Sequence, residues 1–420
     1  MRRRGATAPN PIRASTLAPD RGRPGATAPR RPPPRPRSRA AVAPSAPPAR
    51  PVDARRVALE ALARVDAGAY ANLAVRSLLD GSTMSPVDRH FVTTLVNGTT
   101  RLRRALDWRI DAHAKGPLDP ETRRVLRMGA YQLTELRVPA HAAVYETVRV
   151  APRRSQGLVN AVLRRVAEAP EPAWPSEAVR LSYPDWIVDR LYADLGSVAA
   201  ETLDAMNAAP AVHTRDDGYV QSPSSQAVAA LVEARPGDRV LDLCAAPGGK
   251  ATALAALGAE VVALDAHIGR ARLILDTARR LGLNVPTVVA DGRRPPLALG
   301  SFDHVLVDAP CSGLGALHRR PDARWRIQPA DVDDLVVLQR QLLAAAVTMV
   351  RAGGTLTYSV CTLSRAESTG IDEWMAVAHP RLAPMPVPPR PWSAHGRGAM
   401  VLPQWQGGDG MCVFRYRLIH

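Results

Sequence analysis

From residue 53 to about residue 168, apolar side chains recur at the three- and four-residue spacing that makes one face of a helix. The stripes are Val57, Ala61, Leu62 and Val65; Phe91, Leu95, Thr99, Leu102 and Leu106; Val125, Gly129, Leu133 and Leu136; and Leu158, Val162 and Val166. Turn-forming pairs at Gly81-Ser82 and Gly116-Pro117, and a proline at Pro139, separate them. The pattern predicts an all-α bundle over residues 53–170, within the usual size range of one domain.

Residues 171–220 follow a different pattern. The proline-rich run 170–175 predicts a stiff linker. After it, apolar positions predict two short helices, near Trp186–Leu195 and Val198–Asn207. Because this small segment cannot enclose a large core, we expect it to pack against the later part of the chain.

From Gln221 to residue 420, short apolar runs typical of strands alternate with helix-like runs. The strand-like runs are Val240–Leu243, Val261–Leu264, Thr287–Ala290, His304–Val307 and Thr355–Tyr358. The clearest helix is Val332–Val350. This alternation predicts a parallel, doubly wound, Rossmann-like α/β sheet. A last run, Met411–Ile419, predicts an antiparallel strand paired with residues near position 400.

The basic charge of the chain is concentrated at its start. Residues 1–50 contain twelve Arg, twelve Pro and one acid, so they hold +11 of the total formal charge of +16. We interpret residues 1–52 as a disordered tail, because such a composition cannot bury enough apolar surface to fold. A basic arm attracts phosphates without sequence preference. An extension without a function explains the composition equally well.

The cysteines, at positions 244, 311, 361 and 412, lie far apart and form no CxxC pair. This spacing argues against structural zinc and a disulfide framework, and it suits a reducing cytoplasm. No apolar run approaches the roughly eighteen residues of a membrane helix. The Met1-Arg-Arg-Arg start lacks the apolar segment of a secretory signal. We therefore expect a cytoplasmic protein that has no membrane segment and no metal.

The stretch Arg239-Val-Leu-Asp-Leu-Cys-Ala-Ala-Pro-Gly-Gly-Lys250 reads as a strand, a glycine turn and a helix start. Such a turn presents backbone N–H groups and the positive end of a helix dipole to a ligand. A second strand then ends in Asp265, where a carboxylate can hold the hydroxyl pair of a ribose. The stretch predicts a nucleoside-type ligand. The alternative is a structural βα turn followed by an acid that is there by chance.

Four carboxylates stand at the ends of predicted strands: Asp242, Asp265, Asp291 and Asp308. Ligands of open α/β sheets lie outside the carboxyl ends of the strands, so this series favours the rim of a cofactor site. Asp291 is placed to accept from an adenine amino group. A strand-terminal Asp is also a common helix N-cap, which is the alternative for any one of them.

Two cysteines follow the fourth and fifth predicted strands, in Asp308-Ala-Pro-Cys-Ser-Gly313 and Tyr358-Ser-Val-Cys-Thr362. If those strands are neighbours, Cys311 and Cys361 open into one crevice beside the predicted ligand. A free cysteine is usually a small buried hydrophobic residue, which is the alternative for each of them. Local sequence does not decide which of the two would act as a nucleophile.

Arginines lie off the apolar stripes of the helical segment. They are Arg101, Arg103 and Arg104; Arg123, Arg124 and Arg127; Arg153 and Arg154; and Arg164 and Arg165. Arginines on several helices indicate a surface that binds nucleic-acid phosphates. Solvated helix faces in an arginine-rich chain are the alternative.

Leu243-Cys-Ala-Ala-Pro-Gly-Gly-Lys250 resembles the S-adenosylmethionine loop of the RNA 5-cytosine methyltransferases, and residues 53–420 resemble their RsmB (Sun, Fmu) branch. The resemblance implies a NusB-like RNA-binding domain over 53–170, which Leu158-Val-Asn-Ala-Val-Leu-Arg-Arg165 matches. It also implies a methyltransferase domain over 221–420 that modifies small-subunit ribosomal RNA. The residues that it assigns to S-adenosyl-L-methionine are Cys244, Ala245, Ala246, Pro247, Gly248, Gly249, Lys250, Asp265, Asp291 and Asp308.

The resemblance also implies roles for the two thiols: Cys361 as the nucleophile and Cys311 as the thiol that assists product release. The residue types suit this chemistry, because carbon 5 of cytosine becomes nucleophilic only after a thiolate adds to carbon 6. Ring nitrogen 3 gains negative charge in that step, and Asp308 is placed to hydrogen-bond it. Two further matches, His318-Arg-Arg-Pro-Asp-Ala-Arg-Trp325 and Gly408-Asp-Gly410, imply arginines that meet substrate phosphates.

The chain departs from the family pattern in three places: at Val360, at Gln221-Ser-Pro-Ser-Ser-Gln226, and at Met411-Cys412. No departure removes a reacting group, so they bear on the RNA site more than on the reaction.

Three alternatives stay open: the same chemistry on transfer RNA, an RNA-binding module with a vestigial catalytic domain, and a small-molecule methyltransferase. Nothing in the sequence indicates an oligomer, so we expect a monomer.

Overall fold

A computed structural model describes residues 53–419 of the chain. The interpretation of residues 1–52 as a disordered tail concerns residues outside this range. Within it, no helix combines the length and the apolar character that crossing a membrane requires.

The first part of the described chain is helical, as the apolar stripes predict. Its helices are α1 (Ala54–Asp66), α2 (Ala71–Leu79), α3 (Pro86–Arg101), α4 (Arg103–Asp111), α5 (Pro120–Thr134), α6 (Ala140–Val150) and α7 (Gln156–Glu168). Ser85 and Asp119 cap α3 and α5, and each cap is followed by a proline at the first helical position. The buried apolar faces form one core that includes residues from Ala54 to Val166.

Three short helices come next: α8 (Glu177–Arg180), α9 (Asp185–Leu195) and α10 (Ala199–Ala205). Their buried residues and those of the adjoining turns, among them Tyr183, Ile187 and Leu203, belong to the same core as the strands of the sheet. The expectation that this segment packs against the later part of the chain is therefore confirmed.

The rest of the chain forms one mixed sheet with helices around it. The strands are β1 (Arg239–Asp242), β2 (Glu260–Asp265), β3 (Thr287–Val289), β4 (Phe302–Asp308), β5 (Val350–Val360), β6 (Leu382–Pro384), β7 (Ser393–His395), β8 (Gly398–Val401) and β9 (Met411–Leu418). The helices are α11 (Pro223–Ala230), α12 (Gly249–Ala256), α13 (Ile268–Arg280), α14 (Pro329–Met349), α15 (Thr369–Ala378) and α16 (Pro403–Gln406).

The strand order is β3-β2-β1-β4-β5-β9-β8-β7, and β6 pairs with β9. Strands β1 to β5 are mutually parallel, which confirms the Rossmann-like, doubly wound fold class. The order reverses between β1 and β4, so the crevice at this point is where such sheets bind ligands. β9 lies antiparallel between β5 and β8, as predicted for the last run.

The stretch His318–Trp325 joins the helical part to the sheet, and here the structure corrects the sequence interpretation. Arg324 is completely buried, and its guanidinium donates to the carbonyls of Arg101 and Ser182. The Trp325 indole N–H donates to the carbonyl of Thr100 at 2.7 Å. Arg324 therefore cannot meet a substrate phosphate, because it connects segments of the protein itself.

Most of the first two arginine clusters also face protein groups. Arg101 is buried and donates to the carbonyl of His318, and Arg103 lies over the Trp325 ring at 4.3 Å. Arg123 and Arg127 both pair with Asp107. Burial excludes a phosphate contact for Arg101, whereas such a contact stays a prediction for the partly exposed Arg103, Arg123 and Arg127. Arg164 and Arg165, by contrast, are exposed on α7.

Candidate active site

The parallel strands bring the predicted site residues to one edge of the sheet. Cys244 to Gly248 lie in the connection between β1 and α12, and Gly249 and Lys250 are the first two residues of α12. Asp265 and Asp308 are the last residues of β2 and β4, and Asp291 lies two residues beyond β3. Because these strands run in the same direction, all of these residues lie at their carboxyl ends, around the crevice between β1 and β4.

The glycine turn has no room for side chains. Gly248 has a φ of +103°, which favours glycine, and a Cβ there would lie 3.1 Å from the Cα of Ile274. A Cβ on Gly249 would lie 2.9 Å from the Tyr219 ring. The bare backbone opens α12, whose first N–H groups have no acceptor within the helix. The turn therefore has the form of a cradle for a polar or anionic group.

The predicted cofactor acids Asp265 and Asp291 differ in how they are held. Asp265 accepts from the backbone N–H of Ala246 at 3.4 Å and of His267 at 3.1 Å, and it lies 3.2 Å from the Arg270 guanidinium. Asp291 is half-exposed, and Arg293 lowers its pKa by donating to both carboxylate oxygens. Asp265 is thus held in place by the turn itself, whereas Asp291 lies at the outer rim.

Asp242 is buried at the end of β1. Neither of its carboxylate oxygens accepts a hydrogen bond from a side chain of the described residues, and the backbone N–H of Cys244 offsets its burial only in part. Burial, and next the charge of Asp308, raise its pKa to about 7. A buried acid without a side-chain donor is expensive in a folded protein, so its presence beside the turn fits a ligand that supplies the donor.

Lys250 and Asp308 form an ion pair in the floor of the crevice. The Lys250 ammonium lies 2.6 Å from Asp308 Oδ2, and the Ser359 hydroxyl donates to Asp308 Oδ1 at 2.7 Å. Burial opposes the charge of Lys250, but Asp308 outweighs it and raises the pKa of Lys250. Sequence reasoning missed Ser359, which is the residue directly opposite Asp308 in the β4–β5 register.

Cys311 and Cys361 meet as the neighbouring-strand argument predicts. β4 and β5 pair along their length, and the two Sγ atoms lie 3.4 Å apart. Both cysteines are free and partly buried. The hydrogen bond to Cys361, followed by burial, raises the pKa of Cys311 well above its usual range. Two thiols in contact at the edge of a ligand crevice can exchange a proton and can present one sulfur to a substrate.

The other two cysteines differ in environment. Cys412 is completely buried in β9 and is a core residue, as expected. Cys244 lies in the turn, where burial raises the pKa of its thiol. Neither is placed as a reactive thiolate. Within residues 53–419, no cluster of His, Cys, Asp and Glu has the arrangement of a metal site.

The loop after Cys311 is fixed by contacts with Gly408-Asp-Gly410. Gly315 accepts from the backbone N–H of Gly410 at 2.8 Å, and a Cβ on Gly315 would lie 2.2 Å from the Gly410 carbonyl oxygen. Asp409 binds the Arg319 guanidinium at 2.6 Å and lies 3.2 Å from His318. Burial alone would raise the pKa of Asp409, but these two partners lower it. The two signatures therefore act together as a support for the thiol loop.

Comparison with known proteins gives the family. A family model described as 16S rRNA methyltransferase RsmB/F matches residues 229–417, and the NusB family model matches residues 52–168. The chain is 38% identical to the ribosomal RNA small subunit methyltransferase B of Thermus thermophilus over 397 residues, covering 87% of this chain and 98% of that protein. It is 33% identical to the protein of the same name from Sodalis glossinidius, covering 71% and 83%.

Among solved structures, the crystal structure of the protein PH0851 superposes with a TM-score of 0.71 at 19% identity, covering 87% of this chain and 99% of that one. This likeness supports the fold. The protein family is given by the match to the family model and by the sequence identity to the Thermus protein. The chain therefore belongs to the RsmB/F family of 16S rRNA methyltransferases, has a NusB-like helical part, and is a methyltransferase that uses S-adenosyl-L-methionine.

Proposed function

We propose that this protein forms 5-methylcytosine in small-subunit ribosomal RNA through a covalent bond between Cys361 and carbon 6 of the target base. The observation that carries the proposal is the 3.4 Å contact of two thiols at the sheet edge that also holds the glycine turn. The names of the relatives support ribosomal RNA as the substrate. Both thiols must stay reduced for this chemistry, which agrees with the expected cytoplasmic setting.

The residues at the sheet edge fit S-adenosyl-L-methionine. We assign its binding to the turn Cys244–Lys250, with Asp265 at the ribose, Asp291 at the adenine and Asp308 near the reacting centre. The Asp242 carboxylate, which has no side-chain donor, and the side-chain-free turn are the features that fit a polar ligand here. When bound, S-adenosyl-L-methionine supplies an electrophilic methyl group.

We assign the activation of the cytosine ring to Cys361 and to the Asp308–Lys250 ion pair. The Cys361 thiolate adds to carbon 6, the S–C6 bond forms, and the electron pair of the C5–C6 double bond moves towards carbon 5 and the ring. Ring nitrogen 3 gains charge in this step. We assign its hydrogen bond to the Asp308–Lys250 pair, in which the ammonium holds donor groups beside the carboxylate.

Release of the product reverses the addition. Once carbon 5 carries the methyl group, its proton leaves, the C5–C6 double bond re-forms, and the S–C6 electron pair returns to sulfur as a thiolate. Cys311, in contact with Cys361, is the residue placed to take part in these proton movements. The family resemblance gives the same division of roles.

A pair of variants tests this mechanism. Cys361→Ala should abolish methylation and leave no adduct, because it removes the sulfur that bonds to carbon 6 in the proposed reaction. Cys311→Ala should accumulate an RNA-linked protein, seen as a shifted, RNase-sensitive band on a denaturing gel, because release is slowed. Cys412→Ala, in the buried core, is the control for general damage. The opposite pattern of adducts would reverse the two roles.

The RNA substrate needs a separate measurement. Bisulfite sequencing of total RNA from a deletion strain should show one cytosine of 16S ribosomal RNA that loses its mark and regains it with the restored gene. Loss of a mark in transfer RNA instead would place the same chemistry on that substrate. The absence of any lost mark would favour an RNA-binding module with a vestigial catalytic part.

A further inference from the structure

We propose that Glu367 is a positioning residue for the methyl-transfer reaction: it fixes the two thiols relative to each other, and its negative charge helps to keep the proton on Cys311. The inference rests on the proposed function and concerns a residue outside the sequence motifs of the site. Glu367 ends a single 3-10 turn, Arg365–Glu367, between β5 and α15, and it is completely buried.

The carboxylate of Glu367 binds the residue that comes after each cysteine. Ser312, next to Cys311, donates its backbone N–H to Oε1 at 2.8 Å and its hydroxyl to Oε2. Thr362, next to Cys361, donates its hydroxyl to Oε2 at 3.0 Å. One buried side chain therefore connects the two loops that carry the sulfur atoms.

A second layer of contacts fixes Glu367 itself. The Gln339 amide of α14 donates to Oε1 at 3.1 Å and to the carbonyl of Pro310 at 2.9 Å. The Tyr358 hydroxyl donates to the backbone carbonyl of Glu367 at 2.8 Å. The loops thus have little freedom to change the spacing of the sulfurs, and a reaction that needs an aligned thiol is sensitive to shifts of about 1 Å.

The charge of Glu367 is balanced by hydrogen bonds from neutral groups alone. All four of its side-chain contacts come from an amide N–H, two hydroxyls and a glutamine amide. Since no cation is among these contacts, the charge of Glu367 also acts on ionisable groups nearby, and Cys311 is one of them. The hydrogen bond that Cys311 donates to Cys361 and the burial of Cys311 raise its pKa, and the charge of Glu367 adds to them.

The negative charge of Glu367 favours the protonated form of Cys311, so the two thiols have different roles. A Cys311 that is kept as a thiol can donate its S–H to Cys361, which leaves Cys361 as the acceptor of the contact and as the nucleophile of the proposed reaction. A purely structural Glu367 would stabilise the loops but would leave the ionisation of Cys311 unchanged when its charge is removed.

The experiment uses the full-length protein and measures thiol ionisation without RNA. In a Cys361→Ala background, the rate of Cys311 alkylation by iodoacetamide is followed against pH by peptide mass spectrometry, with and without Glu367→Gln. We expect the midpoint for Cys311 to move to lower pH by about one unit when the charge is removed. Asp372→Asn is the matched control, because Asp372 is also buried but bonds Arg397 and Tyr416.

Single-turnover kinetics on RNA test the positioning role. Glu367→Gln should lower the rate of methyl transfer roughly 10- to 100-fold, with the KM for RNA unchanged. Ser312→Ala, which keeps the charge but removes one connection, should slow transfer and leave the Cys311 titration in place. If Glu367→Gln fails to fold, Ser312→Ala alone tests whether the connection between the two thiol loops affects the rate of methyl transfer.

An unchanged Cys311 midpoint in Glu367→Gln, together with a rate loss equal to that of Asp372→Asn, would overturn the proposal and leave Glu367 as a structural residue. Failure of the proposed function looks different. If the wild-type protein forms no 5-methylcytosine, the thiol titration, which uses no RNA, still decides the effect of the charge.

Discussion

Asp242 shows how a single residue can be understood only with its surroundings. Its place at the end of β1 is visible in the sequence, but its lack of any side-chain donor is not, because the groups around it come from distant segments. The pKa of about 7 means that the folded protein holds Asp242 partly protonated near neutral pH. The unfolded chain would ionise it at the ordinary value.

This difference predicts a pH-dependent effect of Asp242→Asn on stability in the absence of cofactor. Because the pKa is raised on folding, the contribution of Asp242 is most favourable below about pH 4 and is lost as the pH rises towards 7. The variant should melt at the same temperature as the wild type at low pH and at a higher temperature at about pH 8. A shift from 3.8 to about 7 corresponds to roughly 4 kcal/mol at most.

Thermal unfolding at both pH values checks this prediction, and binding of S-adenosyl-L-methionine by calorimetry should be weaker in the variant. Equal melting temperatures at the higher pH would mean that a group or a solvent molecule satisfies the carboxylate in the folded protein. Asp276→Asn, on an exposed part of α13, is the control for charge removal alone.

At the scale of elements, apolar runs predicted the parallel strands because the central strands are largely buried on both faces, which leaves a clear signal. The start of β5 was missed. The sequence predicted a strand from Thr355, whereas β5 begins at Val350, directly after α14. Gly353 and Gly354 look like a turn, but Gly353 takes a φ of +77° within the extended strand, next to an irregular register with β4.

β6 and β7 have three residues each and no alternation of their own, so no local pattern marks them. They exist because β9 and β8 offer edges to pair with. Arg324 escaped prediction for a related reason. Its partners include groups 117 and 223 residues away in sequence, so nothing near it distinguishes a buried guanidinium from a phosphate contact.

The contribution of the Arg324 contacts to stability can be measured by comparing substitutions of Arg324 and of the exposed Arg320. Arg324→Met should lower the free energy of unfolding by about 2–5 kcal/mol, because it leaves several buried carbonyls without a donor. Arg320→Met, at an exposed position in the same stretch, should change it by less than about 0.5 kcal/mol. Chemical denaturation measures both, and equal effects would show that the Arg324 contacts contribute no stability.

At the scale of the whole molecule, the two largest hydrophobic cores differ in which segments of the chain contribute residues to them. The core of α1 to α7 is made only of residues between Ala54 and Val166. The core under the sheet also includes residues of α8, α9 and α10. The helical core ends at Val166, whereas a division at residue 221 would separate the core under the sheet into two parts.

Fragments should therefore behave differently. Residues 53–169 and residues 170–420 should each unfold cooperatively, as seen by circular dichroism with heating. A fragment of residues 221–420 should lack a cooperative transition, because it exposes the apolar surface that α9 and α10 cover. A sharp transition in the shortest fragment would show that the small helices are not part of the folding unit.

The position of β9 in the interior of the sheet has a consequence for protein synthesis. The helical part can fold while translation continues, since its core is finished by Val166. β5, which leads into Cys361, instead keeps one open edge until Met411–Leu418 have left the ribosome. A nascent chain halted before those codons would thus hold a complete helical segment joined to a sheet with an unpaired, aggregation-prone strand.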